Sequence, residues 1–456
     1  MTDELQFLGA AELIGSFAAG ELSPVEVMSE TIAHAEEVEP KANAFMATFY
    51  EQATAAAREA EGRWRGIGAP PRPLEGVPFA VSDDLEIAGH PLTESSIHLV
   101  GHEIHETEPL AARIYDSGAI VHARTATSEL LYSPFMLSEL YGTTPCPWNP
   151  AYNASGAAGG AGAALAIGST ALAGGIDSLG CNTAAAPCGV VSMKPSYGRI
   201  PLVPPFSLDT YSQYFPMARS VADCALLYDQ LAGPDPRDAS SLPPADPIGK
   251  LVPSASGLRV AWSEDLGGYD VRADVRANTR ASMQRLADAG ARVDEVGLDL
   301  DPVEIGGTVL RHAGHLLLPM LERQIREGDL ADHSLAFVTR ALEEAKAPFS
   351  DAIEVEGRLY SELAGIFAAY DAFVCPALTV PAFPLVPENP DFLGALTGAV
   401  FTICSRHPYV SVPSGTGEDG VPTAVLVVGP RHNEPVAFRA AAAVEAVVDP
   451  IGRPRG

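Results

Sequence analysis

Residues 153 to 199 constrain this chain more than any other stretch. They read NASGAAGGAGAALAIGSTALAGGIDSLGCNTAAAPCGVVSMKPSYGR, a run of small residues in which only Asp177, Lys194 and Arg199 carry charge. Side chains this small let backbone approach backbone, and Gly reaches dihedrals that other residues avoid. Two readings follow: a close-packed buried helix and turn, or an active-site scaffold in which backbone groups face a ligand. Either needs a large fold around it. At 456 residues the chain is long enough for two or three average domains or for one large α/β domain. It shows no internal repeat, so one domain over 1–456 is expected, with its core in 9–447.

The net charge of −29 argues against a nucleic-acid partner, which needs a basic face, and against an anionic membrane surface. The start of the chain is acidic rather than a basic leader, and no long apolar run predicts a membrane span. The six cysteines (146, 181, 188, 224, 375 and 404) are dispersed without a CxxC pair. They read as reduced thiols of a cytoplasmic protein.

Along the chain, 9–39 reads as helical, with a capping box and first-turn proline at Ser23-Pro24-Val25-Glu26. Leu22, Val25, Met28 and Ile32 form its expected packing face. A helix over 50–65 follows, and Val77–Val81 reads as a buried strand. Over 106–123 a helix and then a strand fit a βαβ crossover, with Leu110, Ile114 and Tyr115 packing and Gly118 as the stop. Later strands are expected at 257–262, from Arg292, at 371–375, and as two strands in 408–430 joined by the Gly417–Gly420 turn. Helices are expected near 219–232, 272–290 and 437–447, and 233–256 reads as an exposed connection.

Most short motifs fail on spacing. Gly160-Ala161-Gly162 opens like a dinucleotide fingerprint, but Leu165 stands where its last glycine belongs. His102-Glu103-Ile104-His105 is one residue too short for the zinc-protease helix motif. His312 and His315 are three apart on an expected helix, a pair that fits packing better than zinc. No metal and no cofactor are expected.

Trp148-Asn149-Pro150, Cys188-Gly189-Val190-Val191 and Lys194-Pro195-Ser196-Tyr197-Gly198-Arg199 resemble the signature of the amidase signature family, GGSSGGSAAAxAxG followed by TDxGGSIRxPAxxCGxxGLKPTxGR. Gly76-Val77-Pro78 and the blocks in 408–430 resemble further family segments, so the likeness spans about 9–447. It implies an α/β fold: a mixed central β-sheet surrounded by helices. It also implies a catalytic set of a Ser nucleophile, a second Ser in a cis peptide bond, and a Lys base. Here the Lys position holds Ser82, the cis-Ser position Ala157, and the nucleophile position Cys181. Cys181 falls 24 residues after Ala157 and four after Asp177, as the family spacing requires. Counting back from Cys188 reaches Gly180 instead, so one residue is missing between 181 and 188. The family Arg after the nucleophile is replaced by Asn182 or Thr183, which predicts that Asp177 loses its partner.

Ser82 is no base at neutral pH and Ala157 relays no proton, so the ordinary triad is expected to be silent. The chain has only four lysines, Lys41, Lys194, Lys250 and Lys346; Lys194 is structural in the family. Two readings stay open. In one, Cys181 attacks an amide or ester, helped by the backbone N–H groups of Ser178, Leu179 and Gly180, with Gly156, Asp177 and Asn182 near the ligand. In the other, an inactive homologue keeps the pocket to bind a ligand or a partner. The expected ligand is a small molecule, and the resemblance is compatible with a homodimer.

Overall fold

The computed structural model describes residues 5–131, 133–180, 185–204, 206–327, 330–387, 392–403 and 407–454. Its strands are β1 (Phe45–Thr48), β2 (Pro78–Ser82), β3 (Ile120–Thr125), β4 (Leu137–Ser138), β5 (Gly142–Thr143), β6 (Leu172–Asp177), β7 (Val191–Lys194), β8 (Gln213–Ala218), β9 (Arg259–Trp262), β10 (Arg292–Glu295), β11 (Ala372–Pro376), β12 (Tyr409–Thr416) and β13 (Pro422–Val428). Eleven of them form one mixed sheet in the order β1-β3-β2-β6-β8-β7-β12-β13-β11-β9-β10, and β4 and β5 form a small ribbon. The helices are α1 (Ala10–Ala19), α2 (Pro24–Ala42), α3 (Tyr50–Trp64), α4 (Pro109–Ser117), α5 (Gly159–Ala166), α6 (Ala185–Cys188), α7 (Val221–Leu231), α8 (Ala273–Asp288), α9 (Pro302–Glu327), α10 (Asp332–Glu344), α11 (Phe349–Phe367), α12 (Gly398–Ile403) and α13 (Glu434–Val447). They surround the sheet in a single α/β domain.

Local chemistry explains most of these elements. Ser23 caps α2, accepting from Glu26 N–H while the Glu26 carboxylate returns to Ser23 N–H. β2 is buried on both faces, as its unbroken apolar run requires. α4 is the crossover from β2 to β3, which pair in parallel; Gly118, at φ 91°, ends it. Small residues serve close approach in α5: a Cβ on Gly160 would lie 2.4 Å from Ala126 O.

The expected stripe of α2 does pack, Met28 fully buried and Leu22, Val25 and Ile32 partly so, and the buried face extends to Pro24, Val27, Thr31 and Ala35. Two expectations change. Tyr115 is exposed, leaving Leu110 and Ile114 to pack. Between Arg199 and α7 the chain forms a fully buried strand, β8, where only a proline-rich loop is expected. Among the described residues no helix is long and apolar enough to cross a membrane.

Candidate active site

The parallel strands β2 and β6 run side by side, with Ala80 opposite Ala173, so their C-terminal ends emerge together. β2 delivers Ser82, which is fully buried. β6 delivers Asp177 and then Ser178, Leu179 and Gly180. The two ends are tied directly, since Ile176 N–H donates to Asp84 Oδ2 at 2.8 Å.

The Ser155–Ala158 turn reaches the same place. Ser155 (φ 62°) and Gly156 (φ 81°) both lie in the left-handed region. The turn is held by Gly156 N–H on Pro134 O (2.6 Å) and by Ser155 N–H on Asn153 Oδ1 (2.8 Å). It lays Ala158 against β6: a Cβ on Gly175 would sit 2.6 Å from Ala158 Cβ. Ala157 is packed in one apolar cluster with Leu179, Phe135 and Tyr211. Cys181 and Asn182, the nucleophile position and its neighbour, lie outside the described residues, as does Thr183.

Asp177 has not lost its partner. Lys194 Nζ lies 3.3 Å from its Oδ2 and both side chains are buried, and Tyr409 OH donates to the same oxygen at 3.3 Å. With no Arg after the nucleophile position, the cation comes from β7 instead. The other carboxylate oxygen accepts Leu179 N–H at 3.1 Å. That N–H, expected to face a reacting acyl group, therefore closes a turn with Asp177. Gly180 has φ 84°, and a Cβ there would lie 2.5 Å from Gly398 C and 2.6 Å from Ala399 N. Only glycine fits so close to the start of α12.

Around Ser82 the surroundings are acidic. Arg124, buried in β3, donates to Ser82 O (2.9 Å) and Leu85 O (3.0 Å) and pairs with Asp83 at 3.6 Å. Burial raises the Asp84 carboxyl, against the pull of the neighbouring Ser82 hydroxyl and the Ile176 N–H. Burial, and then the other carboxylates of the group, carries Glu94 to about 8. Burial carries Glu108 to about 8 as well, against its hydrogen bond from Glu86 N–H. Position 82, where the sequence reading expects the family lysine to be replaced, carries a buried hydroxyl, and the nearby Arg124 is bound to carbonyls and Asp83.

A second network was not legible in the sequence. Ser178 Oγ lies 2.7 Å from Ser212 Oγ, Ser212 Oγ donates to Asp209 Oδ2 at 2.6 Å, and His312 Nε2 donates to Asp209 Oδ1 at 2.8 Å. These residues are 31 to 134 positions from Ser178, and no spacing rule links them. His312 and His315 do not act as a pair, since His315 Nε2 bonds Ala347 O at 2.9 Å. Among the described residues no three potential ligands group to hold a metal.

The fold and its buried small-residue loop define an α/β protein built on one large sheet, with a close-packed turn at the ends of β2 and β6. A family model described as Amidase matches residues 26–436. The chain is 31% identical to a glutamyl-tRNA(Gln) amidotransferase subunit of Salinispora arenicola, over the whole of both chains. It is 30% identical to an acylamidase of Rhodococcus erythropolis, over 98% of this chain and 97% of the relative. Its fold matches a bacterial aryl acylamidase of the amidase signature enzymes, with a TM-score of 0.87 at 22% identity over 97% and 96% of the two chains. It also matches 6-aminohexanoate cyclic dimer hydrolase, with a TM-score of 0.83 at 24% identity over 99% of each. The chain belongs to the amidase signature family.

Proposed function

We propose that this protein is an amidase-family enzyme acting on an acyl C–N or ester bond, by hydrolysis or acyl transfer, with the Cys181 thiol as nucleophile. One observation carries the reading. The segment that precedes position 181 is a fixed turn, with Asp177 clamped by Lys194 and Gly180 wedged against the α12 backbone, which supports a kept scaffold there. The spacing to Asp177 and Ala157 supports Cys181 as the residue presented there. A thiol needs less activation than a hydroxyl, because a few per cent is thiolate at pH 7, and the replacements at 82 and 157 then matter less. The acylamidase relative supports a small acyl amide or ester as substrate. The unpaired thiols Cys146, Cys188, Cys224 and Cys375 suit a reducing, cytoplasmic setting.

The test is acyl transfer to the protein. An activated aryl ester is expected to leave an acyl group on the peptide containing Cys181, and Cys181→Ala to abolish it; an added amine then separates transfer from hydrolysis. Strong aryl-amide hydrolysis that survives Cys181→Ala would overturn the reading. If no adduct forms and Cys181 resists alkylation until the protein unfolds, the inactive, ligand- or partner-binding homologue takes its place. Ser82 in the base position and the Leu179 N–H turned to Asp177 favour that second reading.

A further inference from the structure

We infer that Ser212, Asp209 and His312 are positioning residues of the signature turn, holding Ser178 through a hydroxyl–hydroxyl–carboxylate–imidazolium chain and making the turn sensitive to the charge on His312. The inference deepens the reading above and rests on it only where Cys181 serves as reporter.

The direction of the chain follows from proton counting. Ser212 has one hydroxyl proton and gives it to Asp209 (2.6 Å), so in the 2.7 Å contact Ser178 is the donor and Ser212 the acceptor. Ser212, Asp209 and His312 are buried, while Ser178 is half-buried. The relay therefore runs from the interior to a turn residue that reaches toward solvent.

Tyr211 binds this chain to the Asp177 clamp. Its N–H donates to Asp209 Oδ1 at 3.0 Å, its carbonyl accepts from Lys194 Nζ at 2.6 Å, and its hydroxyl donates to Glu356 Oε1 at 2.6 Å. Its ring stacks on His312, with centroids 3.5 Å apart and planes 9° from parallel. Asp177 and Ser178, adjacent in sequence, are thus held by two charged networks that meet at one residue.

His312 faces two carboxylates: Asp209 from the segment before β8, and Glu356 from α11, whose Oε1 lies 3.6 Å from Nδ1. Tyr211 covers one face and Phe349 of α11 lies 5.5 Å away. On its own helix, Arg311 is bound to Glu344 of α10 and His315 to a carbonyl. Burial alone would discharge His312, but Asp209 and Glu356 outweigh it and raise its pKa above the usual 6.5. When that proton leaves, Asp209 keeps a neutral donor but loses the cation, and the Nδ1 lone pair faces Glu356. The grip on Ser212, and through it on Ser178, loosens.

Amide hydrogen exchange of the 175–180 segment, corrected for intrinsic rates, is measured at pH 6 and pH 9 in the wild type, Ser212→Ala, Ser212→Thr and His312→Gln, with thermal melting of each as control. Wild-type protection is expected to fall with pH. Ser212→Ala should lose about fivefold in protection at pH 6, the size of one buried hydrogen bond, with Ser212→Thr recovering most of it. His312→Gln should cut the pH dependence at Asp177 and Ser178, leaving the part that reaches Ile176 through Asp84 and the raised Glu94 and Glu108 carboxyls. Ser212→Ala leaves the Asp209–His312 contact in place and decides the matter alone if His312→Gln does not fold. Protection within twofold of wild type in Ser212→Ala, or a wild type without pH dependence, overturns the inference. Alkylation of Cys181 by iodoacetamide is followed in parallel. A thiol that never labels sinks the proposed nucleophile while the exchange data still judge the relay.

Discussion

Around Asp177 and Ser178 the charged and hydroxyl side chains meet one another: Lys194 meets Asp177, Ser212 meets Ser178 and Asp209, and His312 meets Asp209, with His312 Nδ1 and Gln213 Oε1 left without a hydrogen bond among the described residues. Around Ser82 the fit is poorer. Ser82 Oγ, Asp84 Oδ1, Arg124 Nη2, Thr125 Oγ1 and Tyr214 OH are all buried, and none makes a hydrogen bond of ordinary geometry to another described group. Buried polar atoms without partners cost more than made hydrogen bonds return. The contrast teaches that the poorer fit is local to the end of β2. The end of β2 holds Ser82 among carboxyls, while Asp177 and Ser178 are supported from other elements.

The comparison breaks hardest at Lys194. Lys194→Met leaves Asp177 buried beside the Tyr409 hydroxyl and the Leu179 N–H but without this cation. About 3–5 kcal/mol of stability should be lost, read by urea unfolding at pH 7. A loss below about 1 kcal/mol would mean that the clamp is not a clamp.

Glu108→Gln tests the opposite end. Glu108 is raised from 4.5 to about 8 in the fold, so the folded state holds a proton that the unfolded chain releases. Its contribution is then full below about pH 4.5 and is lost as pH rises toward 8. The amide still accepts Glu86 N–H without ionising, so the variant should gain on the order of 2–4 kcal/mol over wild type at pH 8 and almost nothing at pH 4. An equal effect at both pH values would remove the buried-acid explanation.

Smaller effects sharpen the contrast between two buried serines. Ser212→Ala removes a hydroxyl that both accepts and donates, leaving Asp209 short of one donor, and should cost about 1–2 kcal/mol. Ser82→Ala removes a hydroxyl without a hydrogen bond of ordinary geometry and should change stability by less than about 0.5 kcal/mol, or increase it. Comparable losses at both positions, by denaturant unfolding, would erase the distinction between the two ends.

His312 adds a pH signature of the better-matched end. Its raised pKa gives stability that is present below about pH 6.5 and lost as pH rises through the folded-state value. The Asp209 partner works in the other direction. Burial pushes its carboxyl up, but the His312 contact and the Ser212 hydroxyl outweigh this and hold it below the usual 3.8, so its contribution is lost only as strong acid is approached. His312→Gln should make the stability profile shallower between neutral and mildly alkaline pH, the remaining slope coming from Glu94 and Glu108.

Residue order alone located the strands 77–81 and 371–375, the capped start of α2, the β12–β13 hairpin and the family itself. Each depends on neighbours within a few positions: an apolar run, a cap, a glycine turn, a motif with fixed spacing. β8 escaped because Pro216 sits in the middle of QYFPMA, a mark against an interior strand. The fold accommodates it because β7 pairs with β8 only at Met217 and Ala218, so at Pro216 the strand has a ladder neighbour on one side alone.

Sequence by itself determined the family and its α/β fold, and counting along it proposes Ser82, Ala157 and Cys181 for the catalytic positions. Tertiary structure alone decided what surrounds them. That Asp177 is paired by Lys194, that Leu179 N–H turns to Asp177, and that Ser178 leads through Ser212 and Asp209 to His312 could not be read along the chain. The side-chain partners in this group lie as far as 103 residues apart. Hydrogen bonds and ion pairs act over a few ångströms in space, and chain distance carries no trace of them until the sheet and its helices have closed.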